Sequence, residues 1–248
     1  MGLEKGDPNR AAGATLRVEN LTKRFAKTVA VDRLNLTLRG GEVLGLLGPN
    51  GAGKTTTFLC LCGLLRPDGG AIFFNDVRLG TERGRTIALI PETPDVYPML
   101  TVWEHLAFVA RSVELEPGWE ERAEELLERL ELTDARDALG QSLSKGMRQK
   151  TLIASTVLAE APVLLFDEPM IGLDPKGQRE LRDLIVRLRE RGTAIVISTH
   201  LLESAEALCD RVIILKNGVA VASGAVPELR RRATGENTLE NIFLEITA

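Results

Sequence analysis

The sequence predicts an α/β fold in which a mostly parallel sheet follows an N-terminal antiparallel β lobe and is interrupted by an inserted α-helical subdomain. Three observations lead there. Short apolar runs such as EVLGLLG, VLLF and AIVIS are each followed by a stretch with helical spacing, the alternation that builds parallel sheets through crossover helices. Before EVLGLLG the strand-like runs TLRVENL and TVAVDRLNLTL follow one another with no helical stretch between them. From Thr101 to about Glu160 the character changes to helix.

Each element has its own local reason. EVLGLLG is short, apolar and unbroken, as a strand buried on both faces must be. Lys54 to Leu65 should form a helix; RPDGG ends it, with Gly69 and Gly70 supplying the turn, and AIFFNDVRL reads as one strand. IALIP is a further short strand, stopped by Pro91. In the helical stretch Thr101 and Glu104 have capping-box spacing, and Ala123, Leu126, Leu127 and Leu130 form one apolar stripe. Trp103 and Trp119 are assigned to core or cover packing. VLLF is a strand, and the helix from Pro175 to Arg191 packs through Leu181, Leu184, Ile185 and Leu188, with proline suited to its first turn. AIVIS is a strand, LLESAEALC a helix, and RVIIL and VAVAS pair as a hairpin through KNG. Helical segments finish the chain.

Composition bounds the function classes. The 248 residues could bury one large core, or a core with a smaller lobe. Net charge is −4, and aromatic residues make up only 4%, so a dedicated nucleic-acid binder is not expected. No apolar run approaches the roughly 18 residues needed to span a bilayer. Residues 1–14 have no apolar centre and read as a flexible leader, not a secretion signal, which gives a cytosolic expectation. Cys60, Cys62 and Cys209 are read as buried small apolar residues. Cys60 and Cys62, two apart on a helix, point to nearly opposite faces and cannot easily share a metal.

The run EVLGLLG ends in GPNGAGKTTTF. Gly48, Gly53, Lys54 and Thr55 fit G-x-x-x-x-G-K-[ST], with a strand before and a helix after. Glycines let successive backbone N–H groups converge on phosphate oxygens, while the new helix aims its positive end at them. Lys54 would reach the β- and γ-phosphates, and the Thr55 hydroxyl would ligate Mg²⁺. Gly48, Pro49, Asn50, Gly51, Ala52, Gly53, Lys54, Thr55 and Thr56 are therefore the candidate cradle for a nucleotide such as ATP. VLLFDEP, expected on a neighbouring strand, completes the site: Asp167 would hold the Mg²⁺ shell, and Glu168 would polarise a water attacking the γ-phosphate.

Lys54 and Asp167 alone fit many P-loop NTPases. The rest of the chain resembles the ATP-binding-cassette (ABC) ATPases. SLSKGMRQK is similar to their signature motif, IGLDP to the D-loop with Asp174, and STH to the switch motif with His200. IPETP, around Glu92, stands where the family has its Q-loop, and Phe25 at its adenine-stacking position. Six motifs in family order cover roughly residues 15–225, which the resemblance makes the ATPase domain, with a helical subdomain at about 98–160 and a helical tail at 226–248.

The resemblance implies a homodimer, or a pair of ATPase subunits, sandwiching two ATPs. Ser144, Lys145 and Gly146 of one subunit would then face the γ-phosphate held by the other. His200 would bond that phosphate, Asp174 would link the two sites, and Glu92 would bind metal or water. It also implies a separately encoded integral membrane permease, docked between Glu92 and about Ser112 on the cytoplasmic face of the membrane. Three residues depart from the common pattern: Lys145 replaces glycine, Met147 replaces glutamine, and Glu92 replaces glutamine, adding negative charge beside Asp167 and Glu168. LSKGMRQK, the Glu at the Q-loop and the tail TLENIFLEIT resemble subunits serving multidrug, antibiotic, sodium or lipid exporters. The alternatives are a soluble cassette ATPase working on a macromolecular assembly and a P-loop phosphotransferase; the latter leaves the signature segment and His200 without a role.

Overall fold

The structure, a computed structural model, describes residues 15–81, 83–232 and 243. The leader 1–14 and, within the tail 226–248, residues 233–242 and 244–248 lie outside the described residues, as does most of TLENIFLEIT.

Two sheets form. The first contains β1 (Thr15–Phe25), β2 (Thr28–Arg39), β4 (Gly69–Phe74) and β5 (Val77–Arg78) in the order β2-β1-β4-β5, all antiparallel. The second contains β3 (Val43–Leu47), β6 (Ile87–Ile90), β7 (Val163–Asp167), β8 (Ala194–Thr199), β9 (Arg211–Lys216) and β10 (Val219–Ala225) in the order β10-β9-β3-β8-β7-β6. Only the edge strand β10 runs antiparallel to its neighbour.

The central strands are buried along their whole length because both faces are covered, as their unbroken apolar runs require. Their side chains alternate between two cores. Val43, Leu47, Leu164, Phe166, Ile195 and Ile197 join one, with residues of the helical insert. Leu44, Leu46, Val163, Leu165, Ala194 and Val196 join the other, with Leu16, Leu34 and Leu38 of the antiparallel lobe and Phe58 of α1 (Lys54–Cys62). The sheet is thus a rigid shelf whose carboxyl ends are held level from both sides.

The helical insert between β6 and β7 contains α2 (Val102–Ser112), α3 (Trp119–Arg129) and α4 (Lys145–Leu158). Thr101 and Glu104 form the expected capping box, so two backbone N–H groups at the start of α2 have acceptors. Ala123, Leu126, Leu127 and Leu130 are all buried. Trp103 and Trp119 cover the core as a pair, ring centroids 5.5 Å apart, with the Arg136 guanidinium 4.0 Å over the Trp103 ring. The insert is tied to α5 (Pro175–Glu190) by Lys150–Glu180 at 2.7 Å and by Glu131–Lys176. The helices α6 (Leu202–Leu208) and α7 (Val226–Arg232) follow β8 and β10.

Several local expectations are corrected. VLLFDEP does not lie beside the strand leading into the glycine turn: β8 intervenes between β3 and β7. The predicted strand AIFFNDVRL is a hairpin, because Asn75 and Asp76 both adopt positive φ, as a tight turn requires, and fold β5 back on β4. Gly69 and Gly70 supply no turn. They open β4, with Gly70 at φ +92° against the backbone carbonyls of Glu19 and Asn20. The helix from Lys54 stops at Cys62 and not Leu65, because Gly63 takes a left-handed C-cap at φ +89°. Cys60 and Cys209 are buried but Cys62 only partly so; burial pushes the Cys60 thiol up to about 11 and the Cys209 thiol to about 12.

Candidate functional site

The parallel register brings three strand ends to one edge. Leu47 stands opposite Thr199, and Asp167 opposite Ser198, so the glycine turn after β3, the acidic pair at the end of β7 and His200 after β8 leave the sheet at one level. The intervening strand therefore joins this edge, and Lys54, Glu168 and His200 meet there despite the different strand order.

The turn is shaped by its glycines. Gly53 has φ +105°, and a Cβ there would lie 2.3 Å from the Ala30 carbonyl oxygen, so only glycine fits. The β9–β10 turn braces it: the Gly218 N–H donates to the Ala52 carbonyl at 3.0 Å, and the Asp32 N–H to the Gly218 carbonyl at 2.9 Å. Gly53 is also the N-cap of α1 and supplies no side-chain acceptor, so the first-turn N–H groups remain available to an anion. Gly48, Ala52, Gly53 and Lys54 are buried, Thr56 is half-buried, and Pro49, Asn50, Gly51 and Thr55 are exposed along the rim.

Lys54 folds back into its own turn. Its ammonium donates to the Gly48 carbonyl at 2.7 Å and the Pro49 carbonyl at 3.4 Å, and lies 3.5 Å from Glu168 Oε1. Both side chains of this pair are only 7% exposed, so each charge compensates the other out of water. His200 completes the group: its Nδ1 donates to Glu168 Oε1 at 3.0 Å and its backbone N–H approaches Oε2 at 3.4 Å. Glu168 itself sits at φ +46°, an uncommon conformation for a long side chain, costing about 1–2 kcal/mol.

Asp167, buried beside it, accepts a hydrogen bond from the Ser198 hydroxyl. Among the described residues no three His, Cys, Asp or Glu side chains cluster as a metal cage. One carboxylate and one hydroxyl, Asp167 and Thr55, are nevertheless the donor set that suits Mg²⁺, which takes most of its ligands from water and substrate phosphates. Glu92 leaves β6 two residues past Ile90, which is in register with Phe166, so it emerges level with Glu168. It is exposed and makes no hydrogen bond or ion pair with a described residue.

The other predicted residues are not gathered here. Ser144 caps α4 by accepting the Met147 N–H at 3.2 Å, and Asp174 caps α5 by accepting the Gly177 N–H at 2.8 Å. No hydrogen bond or ion pair joins Ser144, Lys145, Gly146 or Asp174 to the glycine turn among the described residues. Lys145 lies along Gly172, and Gly146 faces the Gly172 carbonyl, so the signature segment packs on the chain that follows Glu168. Phe25 is 47% exposed, with the Lys23 ammonium 5.4 Å over its ring.

Sequence reasoning missed two residues. Ser198 lies in β8 one residue from its end, directly opposite Asp167 in the parallel register, and a polar residue inside the apolar run AIVIS is the signal that could have flagged it. His105 follows the cap residue Thr101 by four. Its Nδ1 donates to the Thr101 carbonyl at 2.6 Å, and its Nε2 accepts the Tyr97 N–H at 2.9 Å, which requires the neutral imidazole and pins the loop after Glu92.

The profile of the family described as "ABC transporter" matches residues 31–171, more than half of the chain. The chain belongs to the ABC transporter family. The chain is 39% identical over 235 residues to the uncharacterized ABC transporter ATP-binding protein YdbJ of Bacillus subtilis (strain 168), spanning 93% of this chain and 74% of that protein. It is 35% identical over 224 residues to the lipopolysaccharide export system ATP-binding protein LptB of Escherichia coli (strain K12), spanning 87% of this chain and 92% of LptB. A solved structure described as the ATP binding subunit of an ABC transporter superposes with a TM-score of 0.87 at 34% identity, covering 94% of this chain and 99% of that one. In family terms, this chain is an ABC ATP-binding subunit, and no helix among its described residues is long and apolar enough to cross a membrane.

Proposed function

We propose that this ABC subunit binds ATP with Mg²⁺ in the turn Gly48–Thr56, hydrolyses it, and uses closure on a second ATPase subunit to drive export through a separate membrane permease. The observation that carries the reading is the buried Lys54–Glu168 pair, joined by the more exposed His200, at the level of the glycine turn. Lys54 is held by carbonyls and a carboxylate, the contacts that a triphosphate would replace. As Lys54 swings to the β- and γ-phosphates it releases Glu168, whose carboxylate then accepts a proton from water. The water oxygen bonds to the γ-phosphorus as the bond to the β–γ bridging oxygen breaks, leaving ADP and phosphate. Resting and working states thus share one lysine, and substrate arrival switches the base on.

His200 orients that carboxylate. A neutral imidazole has one N–H and donates either to Glu168 or to the γ-phosphate, whereas the imidazolium donates to both. Thr55 and Asp167 would hold Mg²⁺, with Glu92 a further ligand or water acceptor. When bound, the ion supplies positive charge against the phosphate oxygens. Phe25, exposed, is the platform for adenine. Ser144, Lys145 and Gly146 are exposed or half-exposed at the start of α4, available to a γ-phosphate held by the partner subunit, and Asp174 is exposed nearby. Neither subunit alone then satisfies the terminal phosphate, so ATP favours the closed pair and hydrolysis removes that preference.

The permease is placed on the face from Glu92 to Ser112. Tyr97, Met99 and Phe108 are each more than half exposed there, and the Tyr97 and Phe108 rings meet edge-on at 5.6 Å. On this proposal the subunit works at the cytoplasmic face of a membrane, as the family membership implies. Export as the direction rests on the likeness to LptB and on the subgroup pattern LSKGMRQK.

The test is Glu168→Gln, which keeps the shape of the side chain and removes the base. It should bind ATP, hydrolyse it at least about a hundredfold more slowly, and elute as a dimer in size-exclusion chromatography only when ATP and Mg²⁺ are present. A variant that stays monomeric with saturating ATP would remove the two-subunit reading.

A further inference from the structure

We propose that Ser198 is a positioning residue for the metal-binding carboxylate, a role that rests on the nucleotide site described above. Ser198 is fully buried in β8, between the strand leading into the glycine turn and the strand ending in the acidic pair. Its single hydroxyl proton goes to Asp167 Oδ1. The Ser198 hydroxyl oxygen Oγ in turn accepts the Glu168 N–H at 3.1 Å, and that N–H is shared with the Ser198 backbone carbonyl, also at 3.1 Å. One hydroxyl therefore fixes both acidic residues, the first by its carboxylate and the second by its backbone.

The two contacts differ in what depends on them. The Glu168 N–H keeps the Ser198 carbonyl as acceptor if the hydroxyl is removed. The Asp167 carboxylate has no other hydrogen-bond donor among the described residues, and its residue is only 2% exposed. Losing the hydroxyl would leave this charge free to rotate and without a donor. With Oδ1 engaged by Ser198, the remaining oxygen Oδ2 is the one left for a cation or its water shell. Groups that orient a metal's ligand in this way typically change metal affinity by about 10–100-fold. Ser198 touches neither nucleotide nor reacting atoms in this scheme, so its effect should appear where Mg²⁺ matters and vanish where it does not.

The experiment titrates a fluorescent ATP analogue into the full chain with saturating MgCl₂ and, separately, with EDTA. Wild type should bind more tightly with Mg²⁺. Ser198→Ala should lose about tenfold of affinity with Mg²⁺ and stay within about twofold of wild type in EDTA, while Ser198→Thr, which retains the hydroxyl, should restore the Mg²⁺ gain. The ATPase of Ser198→Ala should need correspondingly more Mg²⁺ for half-maximal rate. An unchanged Mg²⁺ gain in Ser198→Ala, or an equal loss with and without Mg²⁺, overturns the proposal. If wild type binds no nucleotide in either buffer, the nucleotide site itself fails, which is a separate result. Should the alanine variant not fold, Ser198→Cys, similar in volume with a weak donor, against Ser198→Thr makes the same comparison.

Discussion

Adding one methyl group at each of two glycines in the same turn should have very different consequences. At Gly51, φ is +80° and nothing lies within 4 Å of where a Cβ would stand. Gly51→Ala therefore meets only the backbone penalty of a left-handed residue, about 1 kcal/mol. At Gly53, φ is +105° and the Cβ would come 2.3 Å from the Ala30 carbonyl oxygen, a backbone atom that cannot rotate away. The turn or β2 must move, and the Gly218–Ala52 hydrogen bond at 3.0 Å lies across that movement. Backbone penalty and overpacking together come to about 3 kcal/mol. The difference of about 2 kcal/mol is roughly thirtyfold in the unfolding equilibrium. Urea unfolding of nucleotide-free wild type, Gly51→Ala and Gly53→Ala, followed by circular dichroism, measures it directly. Equal midpoints for the two variants would refute the claim that the Ala30 carbonyl fixes the shape of the turn.

Other outcomes follow from the same contacts. Thr101→Ala removes half of the capping box and should lower stability by about 1 kcal/mol, measured by urea unfolding. Lys150→Met should strand Glu180 in a site where both side chains are only 14% exposed, costing about 2 kcal/mol, and Lys150→Met with Glu180→Met should recover most of that loss in a double-mutant cycle. The buried thiols give an alkaline limit. Their folded pKa values stand above the ordinary 9.0, so their contribution is intact below pH 9 and is lost as pH rises toward about 11 for Cys60 and about 12 for Cys209. Cys209→Ala should flatten that fall in a pH series of melting temperatures, and an unchanged slope would place its cause elsewhere.

Much of this was readable in the sequence because the signals are local. A strand running into glycines and a lysine, an apolar run ending in two acids, and a threonine three residues before a glutamate each specify backbone and chemistry within a few positions. What was not readable is of longer range or depends on a single dihedral. Placing β8 between β3 and β7 is a matter of sheet order, which no stretch of VLLF or AIVIS encodes by itself. The hairpin at Asn75–Asp76 was hidden in a run of strand-forming residues, and Gly63, which ends α1, stood inside the apolar run CLCGLL. Ser198 gains its meaning only from the Asp167 carboxylate and the Glu168 N–H at the end of the neighbouring strand, a pairing that the strand's own sequence does not encode. Ser144, Lys145 and Gly146 were legible as a motif, yet their task requires a second subunit, so one chain shows only the helix cap.

The proposed sandwich is tested most directly by a crystal structure of Glu168→Gln grown with ATP and Mg²⁺. The expected result is a two-fold dimer with each triphosphate along Gly48–Thr56 and against Lys54, now withdrawn from residue 168, and with Ser144 and Gly146 of the opposite subunit on its γ-phosphate. A triphosphate bound away from Lys54, or a γ-phosphate contacted by one subunit alone, would contradict it.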